Sequence, residues 1–192
     1  MRPSLVLAAL CVALTAACGP SVPPRYVLER DVEGYDYRRY QEVLDVEFVV
    51  AGNPAVGHTA SYVARDDSGI HVATAFVTVY EHAASLSAEV KDRLDTLASY
   101  ERSVTRVDGE YVHRLRATGE EWLVWVSGRY VVKLGAPNGQ HVPAGLAEAY
   151  LHLYPSDLDR SGRARRGADS AGSSQHAADD AEAEPALPSN LR

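Results

Sequence analysis

The sequence predicts an α+β fold, and three observations carry that expectation. Residues 103–134 read SVTRV-DG-EYVHRLR-ATG-EEWLVWV-SG-RYVVKL, strand-like runs separated by short turn signals. That pattern is an antiparallel four-stranded meander. Elsewhere the apolar period changes: Leu86, Val90, Leu94 and Leu97 recur at helical spacing, and so do Leu146, Ala147, Tyr150, Leu151 and Tyr154. A sheet with one apolar face needs cover, and we expect both helices to pack on one face of it.

Each element follows from local signals. Residues 43–50 (VLDVEFVV) suit a strand, and the preceding EGYDYRRYQE reads as a helical turn or an irregular segment. Residues 59–65 and 70–80 read as two strands, joined by the hairpin composition Asp66-Asp67-Ser68-Gly69. The first helix starts near Ser85, with Ser85 or Ser87 as its cap and Glu89, Lys91, Asp92, Asp95 and Ser99 facing water. Val142-Pro143-Ala144 opens the second helix and Pro155 stops it.

Turn lengths set the register of the meander. Two-residue turns at Asp108-Gly109 and Ser127-Gly128, with a three-residue turn at Ala117-Thr118-Gly119, pair Val104 with His113, His113 with Leu123 and Leu123 with Val132. His113 then lies under the helices with Tyr111, Leu115, Trp125 and Leu134. Trp122, Arg114 and Lys133 share the other face with Val112, Val124 and Val131. A one-residue error in the middle turn moves His113 to the other face.

The first eighteen residues read MRPSLVLAALCVALTAAC. Arg2 is a cationic start, Leu5 to Leu14 form a short apolar core, and Thr15-Ala16-Ala17 place small residues before Cys18. The apolar run is too short to span a hydrocarbon layer comfortably, which takes about 20 residues. This leader resembles a bacterial lipoprotein precursor, although Thr15 stands where that family usually has Leu. The resemblance implies a signal peptide over 1–17, diacylglycerol on the Cys18 thiol, cleavage before Cys18 and acylation of the new amino terminus. It also implies attachment to the bacterial cell envelope, with Gly19, where an acidic residue is absent, favouring the outer membrane over the inner. One acyl chain holds marginally, whereas several make attachment effectively permanent. Residues 18–25, with three prolines, read as an extended tether, and 26–158 as a single domain. Residues 159–192 lack aromatics and are rich in Ala, Ser, Gly, Asp and Arg, the composition of a disordered tail.

Charge and cysteine usage narrow the function. The chain carries a net charge of −7; the tail and leader nearly cancel, so the folded middle holds the acidic excess. That disfavours nucleic acid, whose phosphates need a basic footprint. Of the two cysteines, Cys11 lies in the leader, so the processed chain has no thiol pair for an internal disulfide. The seven histidines show no metal spacing, and neither a phosphate-binding glycine loop nor a G-x-S-x-G elbow is present. No cofactor is implied. Two surfaces are candidates for binding: Trp122 between Arg114 and Lys133, a stacking and cation–π platform, and the segment of Tyr35, Tyr37 and Tyr40, whose residue types favour interfaces. The expectation is a lipid-anchored envelope protein that binds or supports an envelope protein or polysaccharide without catalysis. The alternatives are a small periplasmic hydrolase or metal-dependent enzyme around His113, and an accessory subunit of an envelope complex.

Overall fold

The computed structural model describes residues 21–165, apart from Glu33, Asp45 and Asp67. Seven strands form one antiparallel sheet: β1 (Tyr35–Val43), β2 (Ala55–Ala64), β3 (His71–Tyr80), β4 (Glu101–Val107), β5 (Glu110–Ala117), β6 (Glu120–Ser127) and β7 (Tyr130–Pro137). Their spatial order is β1-β2-β3-β7-β6-β5-β4, so the expected meander makes one half of the sheet and docks through β7 onto β3. Helix α1 (Leu86–Asp95) links β3 to β4, and α2 (Ala144–Leu153) follows β7.

The helices do not share a face. Leu86, Val90 and Leu94 of α1 pack with Leu115, Val124, Val126 and Val131. Leu146, Ala147, Tyr150 and Leu151 of α2 pack with Leu123, Trp125, Val132 and Leu134, the alternate positions of the same strands. Leu123 to Val126 are four consecutive buried residues, and Val131 and Val132 repeat the pattern on β7. Strands buried on both faces need cover on both faces, which corrects the expectation of two helices on one side.

Register is correct at the first turn, where Val107 pairs with Glu110 and Val104 with His113. Asp108 and Gly109 both take positive φ, 46° and 83°, as a type I′ loop requires. The middle turn is shorter than expected. Ala117 pairs with Glu120 around a two-residue loop closed by Gly119 at φ 87°. His113 therefore opposes Val124 instead of Leu123 and joins the α1 face. The last loop is Gly128-Arg129, one residue later than expected, with Ser127 opposite Tyr130; this slip preserves the faces.

Other differences are local. The segment ending at Glu42, expected to be a helical turn or irregular, supplies edge strand β1 up to Val43, whereas the strand expected over 43–50 is absent beyond Val43 and a loop there carries Phe48 into the α1-side core. Ser85 stands at the start of α1 with φ 62° and makes no side-chain capping bond. The chain stays engaged beyond Leu158: Leu158 bridges Ala164, and the Arg165 amide donates to the Asp157 carbonyl. Residues 159–165, assigned to the tail from composition, thus pack on the domain; the rest of that tail lies outside the described residues.

The α2 face is completed by a strap, residues 22–32, whose Val27 and Leu28 are buried in the core. Its backbone is met by tyrosine hydroxyls. The Leu28 amide donates to Tyr150 Oη at 3.1 Å, and Tyr62 Oη donates to the Leu28 carbonyl at 2.8 Å. Tyr62 has one proton, so across their 2.8 Å contact Tyr150 donates to Tyr62. Burial pushes both phenol pKa values well above their ordinary value. Tyr154 Oη donates to the Tyr26 carbonyl at 2.7 Å, extending the same attachment.

Candidate functional site

Trp122 is held across the α1 face by a glycine. It pairs with Gly135 on β7, and a Cβ placed on Gly135 would fall 2.2 Å from Trp122 Cζ3. The indole therefore fills the notch that a residue without a side chain leaves, and extends toward β3. Its Nε1–H donates to Glu120 Oε2 at 3.0 Å, while the Tyr100 hydroxyl donates to the other Glu120 oxygen. That bond, with burial, pushes the Tyr100 phenol up to about 12.

Lys133 and Phe76 complete the platform. Lys133 pairs with Phe76 across β7 and β3, and its Nζ lies 4.3 Å from the Trp122 ring centroid and 4.8 Å from that of Phe76. The two rings are 6.0 Å apart. Lys133 also pairs with Glu47 from the 44–50 loop. Below that ion pair an open pocket of about 440 Å³ is lined by Val46, Phe48, Gly57, Phe76, Val131 and Lys133. Half-buried Thr59, Ser61 and Thr74 flank the platform on the same face. The arrangement offers two aromatic surfaces, a cation of limited exposure and hydroxyl groups. It suits stacking with hydrogen bonding, which is recognition chemistry.

Arg114 does not flank Trp122. The shortened turn puts it on the α2 face, where its Nε is 3.1 Å from Glu121 Oε1. Glu121 is a buried carboxylate. Arg116 Nε donates to its Oε1 at 3.2 Å; on its Oε2 the Val142 amide donates at 3.0 Å, and His141 Nδ1 lies at 2.9 Å. Burial pushes this carboxyl up, but the amide, the imidazole and the two arginines hold it net below the ordinary range. Its parity with Leu123 and Trp125 on β6 was the available signal.

The tyrosine segment lies apart from Trp122 and serves the strap. Tyr35, Tyr37 and Tyr40 are half-buried against the α2-side core. Tyr40 Oη is 2.9 Å from His58 Nδ1, and the Arg25 guanidinium sits 4.7 Å from the Tyr40 ring centroid. The Tyr37 amide donates to Asp31 Oδ1 at 2.9 Å.

His113 lines an open pocket of about 600 Å³ with Lys91, Asp95, Arg102 and Ser161. Burial lowers its pKa, and its Nε2 is buried without a hydrogen-bond partner. Gly162 is seated on the ring: a Cβ there would lie 2.4 Å from Cε1. The neighbouring carboxylate is engaged elsewhere, since Lys91 Nζ lies 2.5 Å from Asp95 Oδ2 and Arg102 pairs with Oδ1. Among the described residues, no three His, Cys, Asp or Glu side chains are placed to hold a metal ion. Cys18 lies outside the described residues.

No protein-family model matches the chain, and no curated protein sequence matches it. Among solved structures, a GTP binding regulator from Thermotoga maritima is similar, with 15% identity over 65% of this chain and 78% of that one, at a TM-score of 0.37. A likeness at that level bears on neither ligand nor activity.

Proposed function

We propose that this chain is a non-catalytic binding module of the bacterial cell envelope, anchored by acyl chains on Cys18. It would engage an envelope protein or polysaccharide through Trp122, Phe76 and Lys133. The observation that carries the binding reading is the seating of Trp122: a large, half-buried ring fixed by Gly135 and Glu120, with a cation 4.3 Å from its centre. An aromatic ring held rigid loses little entropy when a partner stacks on it. The anchor reading rests on the leader ending in Thr15-Ala16-Ala17-Cys18.

The hydrolase alternative has less support. A general base needs the hydroxyl it activates within about 2.6–3.2 Å. His113 Nε2 has no such partner among the described residues, and Ser161 Oγ donates instead to Asp159 Oδ1 at 2.7 Å.

Crosslinking of the lipidated chain in cells tests the platform. Trp122→Ala with Lys133→Ala should reduce the dominant crosslinked species at least tenfold while membrane fractionation is unchanged; an undiminished crosslink overturns it. Cys18→Ser should release the chain from membranes or leave the leader uncleaved, and unaltered processing and fractionation refute the anchor.

A further inference from the structure

We propose that the end of the sheet bearing the 44–50 loop rests on the lipid bilayer, with Leu44 and Val49 in contact with it. This deepens the reading of Cys18 as a lipidated anchor and rests on it. The argument starts from where the chain enters the domain. Tyr26 packs against His58 with ring centroids 4.7 Å apart, and lies 6.1 Å from the ring of Tyr130, the first residue of β7. Arg25 stacks on Tyr40, near the end of β1. From there the strap runs to the opposite end of the sheet, where Val32 bridges Tyr35. The entry point is thus the end at which β1 finishes and β2 and β7 begin.

Val22 is four residue steps from Cys18, a reach of at most about 14 Å at roughly 3.5 Å per residue. An acylated Cys18 at the bilayer surface therefore holds this end of the sheet close to the membrane. The exposed apolar side chains gather there. Leu44 and Val49 are each 81% exposed, Val56 on β2 and Val22 on the strap are also exposed, and among the described residues Ile70 alone stands at the far end. The 44–50 loop divides its apolar residues: Val46 and Phe48 line the pocket beneath it, while Leu44 and Val49 face outward. Charges at this end have both signs, Arg25 and Arg129 against Glu42 and Glu47, so apolar contact and not anionic lipid is the attraction. The Trp122 indole then stands away from the bilayer, with Lys133, paired to Glu47 of the loop, between them. Gly135, beneath the indole, is five residues along β7 from Tyr130, about 17 Å at 3.3 Å per residue.

The test places one thiol-reactive, environment-sensitive fluorophore on the full lipidated chain at Leu44→Cys, Val49→Cys or Ile70→Cys. Cys18 is acylated and Cys11 lies in the leader, so the introduced thiol is alone, and all three sites are exposed enough to leave folding intact. Samples are reconstituted in phosphatidylcholine vesicles containing a lipid-borne quencher. Labels at 44 and 49 should be quenched at least threefold more than the label at 70, with blue-shifted emission. A chain that fails to co-float with the vesicles overturns the anchor and this orientation together. A chain that co-floats with its 44 and 49 labels quenched no more than the label at 70 overturns the orientation alone. Shielding of 44 and 49 that rises with protein density, without lipid quenching, assigns the patch to a second copy and also overturns it.

Discussion

Gly135 and Trp122 depend on each other, and neither is intelligible alone. The glycine's value lies in what a Cβ would meet, a ring carbon at 2.2 Å. Gly135→Ala should swing the indole off the sheet, cost about 1–3 kcal/mol as an overpacked contact, and shift tryptophan emission to longer wavelength; unshifted emission would show that the ring has room. His113 and His58 make a second prediction at this scale. Burial lowers both imidazole pKa values in the folded protein. Below about 6.5 the unfolded chain takes up protons that the folded one resists, so stability is full above that pH and declines as pH falls through it toward the folded values. The limiting slope is about 1.4 kcal/mol per pH unit for each group. Urea unfolding between pH 7.5 and 5 should show this decline, and His113→Leu should flatten it; an equal slope in the variant would remove His113 from the account. The side of the sheet that His113 occupies was legible only conditionally, because it hung on one residue of turn length.

At the scale of elements, the meander and both helices were readable because apolar period is a local property. Period 2 with Asp108-Gly109 located the first hairpin, and the Leu86–Val90–Leu94 stripe located α1. Edge strand β1 was not readable. YDYRRYQEV has no clean alternation, and its pairing with β2 shifts register between Tyr37 and Arg39, so its extended form comes from β2 and the strap. The start of α1 falls at Ser85 as expected, but the expected capping bond does not form. Ser85 has the residue type of a cap but sits at φ 62°, a left-handed conformation that costs a non-glycine residue roughly 1–2 kcal/mol. Ser85→Gly should therefore raise stability by about 0.5–1 kcal/mol after the glycine's greater unfolded-state freedom is counted. A thermal unfolding comparison checks this, and a lower midpoint would show that the serine hydroxyl contributes.

Across the whole molecule, the strap converts a sheet with an open face into a closed core. Its attachment concentrates on Leu28, whose amide and carbonyl both end on phenol oxygens. Tyr150→Phe leaves the Leu28 amide without its acceptor, and an unsatisfied buried donor costs about 1–3 kcal/mol. Hydrogen exchange should then accelerate selectively in residues 26–30 while β6 and β7 stay protected. Uniform acceleration would mean that the strap and the sheet unfold as one unit. If Cys18 is acylated as proposed, a firmly docked strap would transmit the anchor's position to the entire domain.

Local sequence suffices for the α+β class, two helices, the three strand pairings within the meander and an expectation of lipidation at Cys18, all properties of neighbouring residues or short periods. Tertiary structure decided which face each helix covers, the burial of Glu121, the transfer of Arg114 away from Trp122 and the gathering of Trp122, Phe76 and Lys133 from three strands. The reason is that side-chain direction in a sheet alternates with every residue. One residue of loop length, invisible to composition, exchanges the two faces, and only the packed sheet shows which exchange buries more apolar surface.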